Sequence, residues 1–148
     1  AASFKFRPSK PSQRTESSKR RAQDPATVSY LHAAMQHSRY ADLVIVHGES
    51  AVAAEHRMAS GNPADLVVTT ANGLEICEIK TSLSPRKCVT EALGQLLEYG
   101  HWPGSDPIVG LWVVGPREID EATSEYVEIL KRTYDLPLSY LCQPEDRR

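Results

Sequence analysis

The sequence contains few cysteines, and they follow none of the patterns by which cysteine builds a site. Cys77, Cys88 and Cys142 are an odd number, and no CxxC pair or Cys/His cluster at zinc spacing is present. These absences argue against a disulfide framework and a structural zinc site. They favour a reducing compartment, so we expect a cytoplasmic protein.

The sequence also lacks the segments that other function classes require. No apolar run approaches the roughly 20 residues of a membrane-spanning helix, and no signal peptide is visible. A glycine-rich phosphate loop and a local Ser/His/Asp signature are missing as well. We therefore expect a soluble chain without membrane contact, and its 148 residues fit one domain.

The net charge of -2 hides an uneven distribution. Residues 1–22 carry seven Lys/Arg and one Glu, whereas residues 23–148 carry ten Lys/Arg and eighteen Asp/Glu. We predict a basic, flexible arm over residues 1–24, a folded domain over 25–142 and a polar tail over 143–148. The arm would attract polyanions such as nucleic acid, although a linker to a further domain explains it equally well. The acidic body suits a site for a divalent cation.

Hydrophobic periodicity and capping signals predict eight elements. Asn72-Gly73 between two β-rich runs indicates a hairpin, Ser84-Pro85 opens a helix, and Gly100 is its expected end. Asp24-Pro25 likewise opens the first helix. The expected elements are a helix over about 25–45, strands over 51–56, 64–70 and 74–81, a helix over 84–99, a strand over 107–114, a helix over 119–133 and a strand over 136–141. This order predicts an α/β sandwich around a mixed central sheet.

One expected strand carries charged residues in an apolar context. Because side chains alternate along a strand, Glu78 and Lys80 share one face, and Cys77 lies on the other. The preceding strand begins with Asp65, which the hairpin brings alongside. Buried charges are costly unless they are used, and two carboxylates beside a lysine can hold a divalent cation such as Mg²⁺.

These residues resemble a known signature. Pro63-Ala64-Asp65, followed thirteen positions later by Glu78-Ile79-Lys80, is similar to the PD-(D/E)XK motif of the restriction-endonuclease-like nucleases, with one inserted residue. Gln95 and Tyr99, one helical turn apart, resemble the QxxxY element of several branches of that superfamily. The resemblance covers residues 28–141. It implies a restriction-endonuclease-like α/β/α sandwich.

The resemblance also implies an activity, which is metal-dependent hydrolysis of phosphodiester bonds in nucleic acid, with DNA favoured over RNA. Its metal ligands for Mg²⁺ or Mn²⁺ would be Asp65, Glu78, the Ile79 carbonyl and Glu55. Lys80 would orient the attacking water and stabilise developing charge. The substrate backbone would be held by Gln95, Tyr99, Arg86 and Lys87. Many relatives act as dimers, so a homodimer is compatible with this interpretation.

Several assignments stay open at this point. Glu55 is the first candidate for a third acid and Glu49 the second. His32 and Gln36 share a helical face that could point to the site. Arg86 and Lys87 either bind a phosphate at the helix N-terminus or face solvent. His56 and His101 carry no clear assignment.

Two alternative interpretations compete with an independent nuclease. In a catalytically inactive binding or scaffolding module of the same fold, Asp65, Glu78 and Lys80 would form a structural ion-pair cluster. Gln95 and Tyr99 would then join the helix to the sheet. In a third interpretation, the chain is an effector or defence domain of a larger protein, with the arm as its linker.

Overall fold

The computed structural model describes residues 4–12 and 25–144. The order of its elements agrees with the sequence prediction. The elements are α1 (Pro25–His47), β1 (Val52–Arg57), β2 (Pro63–Thr70), β3 (Gly73–Ile79), α2 (Pro85–His101), β4 (Ile108–Gly115), α3 (Glu121–Tyr134) and β5 (Leu138–Cys142), with a 3-10 turn at Glu49–Ala51. Asp24, the predicted cap of α1, lies outside the described residues.

The five strands form one mixed sheet in the order β1-β2-β3-β4-β5. The neighbours β1, β2 and β3 are antiparallel, and β3, β4 and β5 are parallel. The β2–β3 hairpin is confirmed, but its turn lies one residue earlier than predicted. Thr70 pairs with Gly73, so Ala71 and Asn72 form the turn.

Helices cover both faces of this sheet. Met35 and Leu43 of α1 pack on Leu66 and Cys77 from one side. Residues of α2 and α3, including Leu96 and Val127, belong to the core on the opposite side, which also contains Ile76, Leu111 and Leu138. The chain is therefore a three-layer α/β domain with an open mixed sheet, and β2 and β3 are enclosed between helices.

The ends of α2 follow the predicted signals only in part. Ser84 caps the helix by accepting a hydrogen bond from Lys87 N at 3.2 Å, as expected of Ser84-Pro85. The predicted end at Gly100 is wrong, because the helix continues to His101 and Trp102 N donates to Glu98 O. A Cβ on Gly100 would lie 3.1 Å from Ile108 Cγ1, so this glycine permits close packing of α2 on β4.

The first described segment lies along the edge of the sheet. Ser9 forms a parallel bridge with Ala53, and its N–H and carbonyl bond Val52 and Ala54. Residues 4–12, which belong to the predicted flexible arm, thus cover the free edge of β1. The remaining residues of that arm, 1–3 and 13–24, lie outside the described residues.

The predicted polar tail begins inside the fold. Gln143 is only 4% exposed, its N–H donates to Gly115 O, and its amide nitrogen donates to Ser38 Oγ at 2.8 Å. Residues 145–148 are not among the described ones. Within the described residues, no helix combines the length and the apolar character needed to cross a bilayer.

Gly73 gives a test of the hairpin geometry. Its φ is +145°, and a Cβ there would lie 2.5 Å from the Pro107 carbonyl oxygen. Gly73→Ala should lower the free energy of unfolding by about 2 kcal/mol or more, because strain and a backbone clash combine. Chemical denaturation measures this loss.

Gly94 provides the matched control. It lies inside α2, and apart from its own helix backbone and chain neighbours no atom lies within 4 Å of a Cβ placed there. Gly94→Ala should therefore raise the free energy of unfolding by roughly 0.5–1 kcal/mol, since alanine favours helix. Equal effects of the two substitutions would contradict the described turn.

Candidate active site

The centre of the site is an interruption in the β2–β3 ladder. Regular pairing runs from Thr70 and Gly73 to Leu66 and Cys77. At the next rung, the Asp65 N–H donates to Glu78 Oε1 at 3.1 Å, and the Ile79 N–H donates to Asp65 Oδ2 at 2.8 Å. Carboxylates thus accept the amide hydrogens that backbone carbonyls would accept in a regular ladder. Asp65 and Glu78 are thereby held side by side, as the hairpin predicted.

Glu55 lies on the same rung, across β2. The pairs Ala54–Leu66 and His56–Ala64 flank it, so its main chain is opposite Asp65. Its φ of +50° is in the left-handed region, which is unusual for a residue other than glycine. Its side chain is exposed, and Oε1 accepts a 2.7 Å hydrogen bond from Ser12 Oγ.

Glu55 therefore lies beside Asp65, while its carboxylate contacts the N-terminal segment, and its role as a third acid stays a prediction. The second candidate, Glu49, forms a 4.0 Å ion pair with Lys10 at the surface, where both side chains are exposed. Nothing connects Glu49 to Asp65 or Glu78 among the described contacts.

Glu78 is buried beside another acid. Only 3% of its surface is exposed, and its carboxyl has a pKa raised to about 8, with burial as the largest cause. The charge of Asp65 is the second cause of this rise, whereas the hydrogen bond from the Asp65 amide and the charge of Lys80 oppose it. The pair is thus electrostatically unfavourable when both acids are ionised.

Helix α1 supplies two residues to Asp65. His32 Nε2 lies 3.2 Å from Asp65 Oδ2, and this contact raises the pKa of His32 against the opposing effect of burial. Gln36 is 1% exposed and donates from Nε2 to the Asp65 carbonyl at 2.9 Å. Its Oε1 is buried with no hydrogen-bond partner in the described structure. The sequence named this pair only as candidates; their spacing of one helical turn was the available signal.

Helix α2 contacts the site through Lys80 from the other side of the sheet. Lys80 Nζ donates a 2.6 Å hydrogen bond to Gln95 Oε1. The side chain of Gln95 also bonds Tyr99, which is 4% exposed. Burial, aided by the charge of Glu78, raises the pKa of Tyr99 to about 12. Lys80, Gln95 and Tyr99 therefore form one connected chain, with a neutral phenol at its buried end.

Other sequence candidates lie away from this cluster. Arg86 and Lys87 are exposed in the first turn of α2, nine and eight residues before Gln95, which corresponds to roughly 12–14 Å along a helix. His56 Nε2 accepts from the Arg7 N–H, and His101 Nδ1 contacts Leu97 O. None of the four has a described contact with Asp65, Glu78 or Lys80.

The donor set fits a hard divalent cation better than a soft one. Within residues 4–12 and 25–144, no group of three or more His, Cys, Asp and Glu is arranged to hold a metal ion. Asp65 Oδ1 and Glu78 Oε2 are the carboxylate oxygens that the two amide bonds do not use. The orphaned Gln36 Oε1 adds a buried oxygen next to Asp65. Mg²⁺ commonly takes one or two carboxylates and retains waters, so these residues fit it.

Fold and site together define a mixed α/β domain with paired carboxylates and a lysine at the junction of β2 and β3. No protein-family model, no curated protein and no solved structure matches the chain. Arguments about function therefore depend on the chemistry of the site itself.

The buried Glu78 makes stability depend on pH. Since its pKa is raised from 4.5 to about 8 in the folded chain, the stability it contributes is full below about pH 4.5 and is lost as the pH rises through 8. In Glu78→Gln, which imitates the protonated acid, this loss should disappear. Relative to wild type, the variant should gain on the order of 2–4 kcal/mol of unfolding free energy between pH 5 and pH 9.

Urea denaturation at several pH values in a metal-chelating buffer measures this difference. Glu91→Gln, at an exposed position of α2, is the control and should follow the wild-type curve. If Glu78→Gln also runs parallel to wild type, the buried acid does not titrate differently in the folded chain.

Proposed function

We propose that this chain is a metal-dependent nuclease of the PD-(D/E)XK type, with a restriction-endonuclease-like fold. The observation that carries the proposal is that Asp65 and Glu78 share one opened rung of the sheet, with the charge of Lys80 two residues beyond Glu78. Charged side chains are costly there, and a catalytic cation and a phosphate give both signs of charge a use.

Asp65 and Glu78 would hold Mg²⁺ or Mn²⁺, with the Ile79 carbonyl as the main-chain ligand that the resemblance implies. When bound, such a cation polarises the phosphate and lowers the pKa of the attacking water. The amide bonds to Asp65 Oδ2 and Glu78 Oε1 orient both carboxylates before any cation arrives. Glu55 would join this set only by exchanging its bond to Ser12.

Lys80 would stabilise the negative charge that develops on the phosphate and orient the water. Its Nζ is restrained by Gln95 Oε1, and Tyr99 restrains Gln95 in turn. Because Tyr99 is 4% exposed, we assign it a positioning role instead of a substrate contact. Arg86 and Lys87, which are exposed farther along α2, would contact the substrate backbone outside the reacting centre.

His32 also enters this mechanism. It lies 3.2 Å from Asp65 Oδ2, so it would hold that carboxylate in place and, when protonated, partly balance its charge. The same contact favours the second candidate function. With His32 and the Ile79 amide on Asp65, the acid is satisfied without a metal, as a catalytically inactive binding module would require.

The remaining expectations stay predictions. They include DNA in preference to RNA, a homodimer, a cytoplasmic location and membership of a larger effector or defence protein. Each concerns context beyond the site residues.

Cleavage assays test the nuclease proposal. Wild type with Mg²⁺ or Mn²⁺ should cut supercoiled plasmid, single-stranded DNA or RNA. Asp65→Asn and Lys80→Gln should each lower the rate by about a hundredfold or more, because each removes a transition-state interaction. Gln95→Ala, which releases Lys80, should lower it less.

Glu91→Gln on the exposed face of α2 is the control and should cut at the wild-type rate. Circular dichroism checks that all variants fold. Equal residual cleavage by every variant would indicate contamination. If the wild type cleaves none of the substrates, the inactive module is favoured.

Metal binding can be measured without cleavage. Mn²⁺ at about 100 times its Kd should raise the free energy of unfolding by about 2.7 kcal/mol in wild type. Asp65→Asn should remove this gain, whereas Glu55→Gln should reduce it less, since Glu55 bonds Ser12. An equal gain in Asp65→Asn would place the cation elsewhere.

A further inference from the structure

A groove lies between the N-terminal segment and the turn from β1 to β2. Its volume is about 710 Å³, a size within the range of small-ligand sites. Its principal lining residues are the cations Lys5, Arg7 and Arg57 and the apolar residues Phe4, Pro8 and Met58. None of the residues that line it belongs to the cluster around Asp65.

The charge of this groove differs from that of the molecule as a whole. Lys5, Arg7 and Arg57 are exposed, and no Asp or Glu is among the residues that line it. Residues 23–148, by contrast, carry eighteen Asp/Glu against ten Lys/Arg. A local cluster of three cations on an acidic protein is suited to a polyanion.

His56 fixes the geometry of the groove. Its Nε2 accepts from the Arg7 N–H at 3.0 Å, so Nδ1 carries the proton and donates to Arg57 O at 2.7 Å. Phe6 stacks on the imidazole at 5.5 Å between ring centroids, and Phe4 contacts it at 5.1 Å. One ring thus joins the main chains of Arg7 and Arg57, which brings both cations to the same groove.

The groove adjoins the row of carboxylates. His56 and Arg57 directly follow Glu55 on β1, whose main chain is opposite Asp65. At about 3.3 Å per residue, Arg57 lies roughly 7 Å along the strand from that row. A single strand spans this distance in one to two nucleotides, because each nucleotide advances about 3.4 Å in a fully stacked strand and farther in an extended one.

We propose that this groove binds single-stranded nucleic acid one to two nucleotides from the reacting phosphate. The three cations contact backbone phosphates, and the apolar wall with Phe4 receives a base or sugar. A duplex presents mainly phosphates and sugars to such a wall, whereas a single strand also offers base faces that stack on aromatic rings. The choice of nucleic acid as the polyanion rests on the proposed nuclease function.

Fluorescence anisotropy with a labelled single-stranded oligonucleotide in EDTA tests the groove apart from cleavage. The triple variant Lys5→Gln, Arg7→Gln, Arg57→Gln should bind about tenfold more weakly or worse. The slope of log K against log salt should be smaller in magnitude by about 2. Each lost phosphate contact removes roughly 0.7 from the slope for a single strand. Duplex of the same sequence should bind wild type more weakly than the single strand.

The matched control neutralises three cations far from the groove, at Arg117, Lys131 and Arg132, and should bind like wild type. Arg57→Lys separates charge from structure, because it keeps the cation but loses the 2.8 Å bond to Gly61 O; its binding should be retained. Unchanged binding by the groove triple, equal loss in the control triple or equal affinity for duplex would each overturn the proposal. So would competition by polyglutamate as strong as that by unlabelled oligonucleotide.

The two proposals can fail separately. If the wild type binds single strands through the groove but never cleaves them, the groove proposal stands and the nuclease proposal is wrong. If cleavage requires Asp65 but is unchanged in the triple variant of the groove, the nuclease proposal stands and the groove proposal is wrong.

Discussion

The exchange of hydrogen bonds between Asp65 and Glu78 constrains the rest of the site. Each carboxylate accepts a main-chain amide hydrogen of the neighbouring strand, so the two acids are held close although their charges repel. The amides reduce the cost of burying them but do not remove it, as the raised pKa of Glu78 indicates. Two carboxylates thus replace regular backbone pairing between β2 and β3 beyond Leu66 and Cys77.

Helices on both faces are organised around this opening. From α1, His32 and Gln36 contact the side chain and the main chain of Asp65. From α2, Gln95 restrains Lys80. Two buried carboxylates stabilise the sheet less than a regular apolar ladder would. Such a loss of stability is common where a site must be preorganised for charge. The nuclease and the inactive module differ in whether the carboxylate oxygens that accept no amide hydrogen bond hold a cation, with the His32 contact on Asp65 retained in both.

The sequence predicted much of this arrangement because strong local signals carried it. Element order followed from periodicity, and the two-residue alternation placed Glu78 and Lys80 together. The errors have local causes. Gly100 has the residue type of a helix end, but its small size serves packing against Ile108. Composition predicts a flexible arm over residues 4–12, but this segment pairs with β1. A polar, proline-containing segment can still pair with an edge strand through its main chain, whatever its side chains are.

By itself, the sequence determined the residues that define the site and the faces on which they lie. The periods of strand and helix suffice for that. Only the tertiary structure decided the partners: His32 on Asp65, Ser12 on Glu55, and Gln95 on Lys80. It also decided the pKa of Glu78 and the joining of Arg7 to Arg57 through His56. Those contacts link positions as far as 49 residues apart, and such distant pairs depend on how the layers pack, which no local pattern encodes.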